Sequence, residues 1–147
     1  MNHLPFSIVG NLTEEPELRF TPAGDAVCKV TIAHNPKKQV DGKWKDGEAT
    51  FMPVTVWRGL AENVAESLHK GDRVIAVGIV STERWKDKEG VTHTRMAMTA
   101  SALGPDLTFH VVTVKKMVRR SEQDDSQTPP DDTVRERPAA RSGARAK

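Results

Sequence analysis

The stretch Thr50-Phe51-Met52-Pro53-Val54-Thr55-Val56-Trp57-Arg58 reads as a β-strand with two quite different apolar faces. Successive side chains of a strand point to opposite sides of its sheet. Met52, Val54 and Val56 therefore share a face suited to a core, while Phe51, Pro53, Thr55 and Trp57 share the other. Large aromatics turned away from a core mark a binding surface or an interface. The chain's helical pattern follows directly. Leu60, Val64 and Leu68, with Ala61 and Ala65 beside them, predict a helix over residues 60–69. Glu62 near its start and His69 and Lys70 near its end suit the helix dipole, and Gly71 is expected at its C′ position.

Outward from this strand–helix unit the pattern is mostly β. Leu4, Phe6 and Ile8 alternate with Ser7 and Val9, and Gly10-Asn11 is expected to end that strand. Leu18-Arg19-Phe20 continues extended to a turn at Pro22-Ala23-Gly24-Asp25. A second strand over residues 26–33 places Cys28, Val30 and Ile32 on one face. A polar loop, 34–49, leads to the third strand. After the helix come a fourth strand (73–82), a charged loop (83–92), a fifth strand (93–102), a turn at Gly104-Pro105-Asp106 and a sixth strand (107–114). The fold class expected is all-β with one helix: a five-stranded OB-fold barrel plus an extra C-terminal strand. Other small barrels and an α+β sandwich share this element order. Residues 119–147 hold three Pro, no aromatic and one large aliphatic, Val134. Such a stretch cannot bury enough apolar surface to offset its ordering entropy. Two parts are expected: a folded domain, 1–118, and a disordered tail, 119–147, acidic first and basic after.

Composition narrows the function. The 22 Lys and Arg nearly balance the 20 Asp and Glu, a net charge of +2, so any attraction to nucleic acid must come from local charge. The five His residues are scattered without metal-ligand spacing, and no phosphate-binding loop or nucleophile elbow is present. No enzyme activity, cofactor or metal is expected. The N-terminus lacks a secretory pattern, and the apolar run 74–80 is too short to span a bilayer, so a cytoplasmic, nucleoid-associated location without membrane contact is expected. The single cysteine, Cys28, alternates with core residues and reads first as core packing. It is also a candidate intersubunit crosslink, should an oligomer bring two copies together.

The remaining tryptophans lie in the two charged loops. Trp44 sits in Lys43-Trp44-Lys45, downstream of Lys37 and Lys38, and Trp85 in Arg84-Trp85-Lys86-Asp87-Lys88. Aromatics interleaved with cations suit a single strand of nucleic acid: rings stack on bases while cations meet phosphates. The candidate DNA-binding set is Trp57, Trp85, Phe51, Trp44, Lys37, Lys38, Lys43, Lys45, Arg84, Lys86 and Lys88. The competing reading is a protein-interaction module of a primosome-like assembly, using the Phe51/Trp57 face against protein.

Ile8-Val9-Gly10-Asn11-Leu12 with Pro16-Glu17-Leu18-Arg19 resembles the start of bacterial single-stranded DNA-binding proteins. So do Val54-Thr55-Val56-Trp57-Arg58-Gly59-Leu60-Ala61-Glu62, Leu68-His69-Lys70-Gly71-Asp72-Arg73-Val74 and Glu83-Arg84-Trp85-Lys86-Asp87-Lys88-Glu89-Gly90. The resemblance covers residues 3–104. It implies homotetramers of OB-folds that bind single-stranded DNA without sequence preference, in replication, recombination, repair or chromosome handling. It implies stacking roles for Phe51, Trp57 and Trp85. A further family aromatic falls near Lys38, where this chain has none, and Trp44 is the expected partial substitute. The segment around Phe109 is similar to the extra strand with which actinobacterial members clamp their subunits. Family members commonly end in an acidic tip with a terminal Pro-Phe pair that recruits other enzymes. This chain ends Ser142-Gly143-Ala144-Arg145-Ala146-Lys147, which points to a specialised second copy and makes such recruitment doubtful.

Overall fold

The computed structural model describes residues 4–118. Eight strands and one helix follow in the order β1 (Leu4–Leu12), β2 (Glu17–Phe20), β3 (Ala26–His34), β4 (Lys37–Val40), β5 (Lys43–Asp46), β6 (Thr50–Trp57), α1 (Arg58–Ser67), β7 (Arg73–Lys86) and β8 (Thr92–Pro105). The main sheet runs β1-β7-β8-β6-β3-β2, and a further β1–β3 pairing closes it into a five-stranded ring with β2 on its edge. One link is parallel, Val54 opposite Met98 and Thr55 opposite Thr99 in β6–β8. This is the OB-fold barrel, mostly β with a single helix.

The alternation read in the sequence decides the core. Cys28, Val30 and Ile32 of β3 and Met52, Val54 and Val56 of β6 are buried, together with Ile8, Leu12, Val74, Ala76 and Met98. Helix α1 packs on the barrel through Ala61 and Val64, and Leu68, just past its end, joins the same core. Cys28 is wholly enclosed, and burial pushes its thiol pKa up. A thiol facing the barrel interior cannot reach a symmetry copy, so the intersubunit crosslink is incompatible with the folded barrel.

Several boundaries differ from the sequence reading. Gly10-Asn11 does not end the first strand. β1 pairs with β7 from Leu4 to Asn11 and crosses over to pair with β3 at Asn11–Ala33 and Leu12–Ile32. At the crossover a Cβ on Gly10 would overlap the Ala33 carbonyl oxygen, so glycine here permits close approach of two strands. Helix α1 has no acidic residue in its first turn and no basic residue in its last. It ends in an extended Leu68, and Gly71 (φ +91°) sits beyond it in a turn whose N–H bonds the Leu12 carbonyl. The exit is held by side chains instead: Asp72 accepts from the His69 N–H and Glu15 from the Lys70 N–H.

Both charged loops are in fact paired strands. Residues 34–49 contain the β4–β5 hairpin, whose two-residue turn is Asp41 (φ 52°) and Gly42 (φ 74°). Two successive positive φ values match the twist of the flanking strands. Residues 83–92 extend β7 and β8 into a long arm, closed by a turn in which Asp87 Oδ1 accepts from the Glu89 and Val91 N–H groups.

The sixth strand is not formed. Residues 107–118 carry no regular structure, with Phe109, Val111 and Val114 exposed. Their alternation suits a strand, but a strand needs a partner edge, and among the described residues none pairs with this segment. The departure of the chain from β8 is nevertheless fixed. Arg73 Nε donates to Asp106 Oδ2 at 2.7 Å, and Asp106 Oδ1 accepts from the Thr108 hydroxyl and N–H. The expected tail, 119–147, lies outside the described residues.

Hydrogen bonds from Thr108, then from Arg73, hold the Asp106 carboxyl at about 2. A carboxylate depressed in the folded state contributes stability that is present above its unfolded value and lost as pH falls toward the folded one. In urea melts, wild type is therefore expected to exceed Asp106→Asn above about pH 4, where even an unfolded aspartate is ionised, and the two curves should converge near pH 2.

Candidate nucleic-acid interface

The β3–β6 register builds the floor of the site. It sets Phe51 opposite Ala33, Pro53 opposite Thr31, Thr55 opposite Lys29 and Trp57 opposite Val27, all on the outward side. β2 extends this face by placing Glu17 beside Lys29 and Arg19 beside Val27. Phe51 is 61% exposed and Trp57 43%, so neither is packed under a loop. The two aromatics stand at opposite ends of one strand, with Pro53 and Thr55 between them.

Two arms are continuous with the barrel strands. The β4–β5 hairpin leaves β3 after His34 and returns just before Phe51, its base tied by the Gly47 N–H to the Pro36 carbonyl at 2.7 Å. Its pleat separates residues that the sequence interleaves. Lys37, Gln39, Trp44 and Asp46 lie on one side, and Lys38, Val40, Lys43 and Lys45 on the other. Trp44 thus turns away from its sequence neighbours, and the cation on its own side, Lys37, is paired with Asp46.

The β7–β8 arm repeats the pattern. Trp85 lies directly opposite His93 and Glu83 opposite Arg95, so these four share a side, while Arg84 and Lys86 point the other way with Thr92 and Thr94. Lys88 lies in the turn at the tip. Trp85, 46% exposed, is in contact with its cross-strand neighbours. The His93 ring stacks on it with centroids 5.5 Å apart and planes 23° from parallel, and the Arg95 guanidinium lies 5.4 Å from its centroid. A groove lined by Glu14, Lys29, Thr31, Thr55, Glu83 and Arg95 joins this arm to the sheet floor.

The local charge is finely divided. Arg19 pairs with Glu17 and Arg95 with Glu83, each at 2.9 Å, so an arriving phosphate must compete with a carboxylate for either. Among the described residues Lys38, Lys43, Lys45, Arg84, Lys86 and Lys88 make no ion pair. The structure adds Lys29, Arg19, Arg95 and His93 to the candidate set. Only cross-strand register reveals them. In the sequence, the one signal for His93 is its spacing from Trp85 about the turn at Asp87–Val91.

A closed OB barrel with exposed aromatics on one sheet face and two basic arms beside it defines a single-strand nucleic-acid binder. Residues 4–106 match the single-strand binding protein family, and the chain belongs to it. It is 43% identical over 119 residues to the single-stranded DNA-binding protein of Paenarthrobacter aurescens, covering 80% of this chain and 70% of that one. Identity to the protein of that name from Mycolicibacterium smegmatis is 44% over 115 residues, 77% of this chain and 70% of the relative. Among solved structures, the small single-stranded DNA-binding protein of Streptomyces coelicolor superposes with a TM-score of 0.64 at 29% identity, covering 73% of this chain and 97% of that one. These actinobacterial relatives match the type expected from the sequence.

Lysines on the unpaired side of the hairpin should behave differently from the paired one. Lys38→Gln, Lys43→Gln and Lys45→Gln are each expected to reduce the slope of log affinity against log salt by about 0.7 for every phosphate no longer neutralised. Lys37→Gln, already neutralised by Asp46, should change it less. Titration of poly(dT) at four salt concentrations checks this.

Proposed function

We propose that this protein binds and protects single-stranded DNA without sequence preference, its bases stacked on Phe51, Trp57 and Trp85 and its phosphates met by the arms. The observation that carries the reading is the outward Phe51/Trp57 strand face beside an arm that presents Trp85. Every base has a π-face, so stacking tolerates any sequence, and contacts to phosphate carry no sequence information. Trp44, with Lys38 and Lys43 on the other side of its hairpin, adds a second place for the strand to pass. The work is binding rather than catalysis and needs no cofactor. Replication, recombination, repair or chromosome handling in the cytoplasm is the setting that follows, and no helix among the described residues is long and apolar enough to cross a membrane.

The family resemblance implies a homotetramer, and two features support it. The outward side of β1–β7 carries Val9 opposite Ile75 and Ser7 opposite Val77, with Ile75 and Val77 both exposed. Contiguous apolar surface of this kind marks an interface. The unpaired stretch with exposed Leu107, Phe109 and Val111 has the alternation to form a strand once a second copy's edge receives it.

Two measurements follow. Trp57→Ala and Trp85→Ala should each weaken poly(dT) binding by about 1–3 kcal/mol without unfolding the barrel, because both rings lie off the core. Wild-type affinity in both variants would refute the stacking platform. In sedimentation, deletion of 119–147 should leave the tetramer intact, and deletion from Leu107 onward should weaken it. A monomer after the shorter deletion would refute the division into a self-sufficient domain and a tail.

A further inference from the structure

An exposed tryptophan on a two-stranded arm would ordinarily sample several rotamers, and fixing it on binding would cost affinity. Trp85 is not left free. His93, directly across the ladder, stacks on its ring with centroids 5.5 Å apart. The imidazole is itself held, its Nε2 2.6 Å from Asp87 Oδ2. Asp87 is fixed in turn by its place in the arm's closing turn, where its other oxygen accepts from the Glu89 and Val91 N–H groups. The contacts run in one line, from turn to carboxylate to imidazole to indole.

We propose that His93 is a positioning residue for single-strand binding, holding the Trp85 ring in the orientation that accepts a base, with Asp87 fixing the imidazole. The inference rests on the stacking role of Trp85 proposed above. Its physical basis is preorganisation: a ring already oriented gives up less freedom when a base arrives. The His93–Asp87 contact is charge-assisted in character. The His93 ring, followed by the Val91, Glu89 and Gly90 backbone, draws the Asp87 carboxyl below its ordinary range. Arg95 supports the same ring by its guanidinium, which Glu83 holds at 2.9 Å. The ladder from Ser81–Ala97 to Lys86–Thr92, which includes the His93 backbone, pairs the arm without help from the His93 side chain, so the imidazole's distinct contribution is the orientation of its neighbour.

The test is a double-mutant cycle on the full chain, read by anisotropy of a labelled oligo(dT). His93→Ala should weaken binding roughly three- to tenfold, the range expected for loss of one aromatic pair. His93→Phe, which keeps a flat stacking ring, should restore most of the affinity. In the Trp85→Ala background, His93→Ala should have almost no further effect, because the residue it positions is gone. Circular dichroism of each variant confirms an intact barrel. Equal losses from His93→Ala with and without Trp85 would overturn the inference, since His93 would then be acting through the arm as a whole. So would wild-type affinity in His93→Ala beside a clear loss in Trp85→Ala, which leaves the stacking role standing. Wild-type binding by Trp85→Ala would remove the stacking role and this inference with it.

Discussion

The barrel depends on one strand serving two partners. β1 pairs with β7 along most of its length and then, at Asn11 and Leu12, with β3. Without that second pairing the sheet would be open, with β1 at one edge and β2 at the other. The crossover brings the β1 backbone against Ala33 so closely that only glycine fits at position 10. A second close approach occurs at Gly78, where a Cβ would overlap the Thr99 carbonyl oxygen, beside the register shift between Val77 and Gly78. Bulges of this kind bend a strand and increase its twist, as closure requires.

Closure also explains why the aromatics are available. Once Met52, Val54 and Val56 are committed to the interior, the pleat leaves Phe51, Pro53, Thr55 and Trp57 outside. The stability of the core thus enforces the presentation of the site. The arms obey the same rule in a less convenient way. On each, the tryptophan and its adjacent cations in sequence are on opposite sides, so base stacking and phosphate neutralisation are divided between two surfaces of a thin ribbon. Where a cation does share a side with a tryptophan, a carboxylate accompanies it: Asp46 with Lys37, Glu83 with Arg95. Such exchangeable pairs leave the cations that have no carboxylate partner, Lys38, Lys43, Lys45, Arg84 and Lys86, on the sides turned away from the tryptophans.

Local pattern was enough to assign the layers. Period-two alternation in 26–33 and 50–58 and period-four spacing in the helix specified which side chains are buried, because burial follows directly from local geometry. The barrel, the helix between its third and fourth principal strands, and the outward Phe51 and Trp57 all follow from that. The Asp41-Gly42 hairpin was also legible, since that dipeptide between short extended runs favours two positive φ values, but the density of lysines made the stretch read as a loop. The alternating segment 107–114 misled in the opposite sense: alternation shows that a segment could pair, not that an edge is present to receive it.

Register came from the folded chain alone, and register decided the rest. The partners of Trp85, the sidedness of Trp44 and the places of Lys29 and Arg95 all follow from which residue faces which across a ladder. A shift of one residue would turn each of these side chains to the opposite face. Chain closure at Gly10, the local turn at Asp87 and the Arg73–Asp106 contact fix that alignment, and the first and last of these join residues far apart in the chain. Cys28 shows the same division: alternation placed it on the core face, but only the closed barrel removed it from any partner's reach, because enclosure is a property of the whole ring.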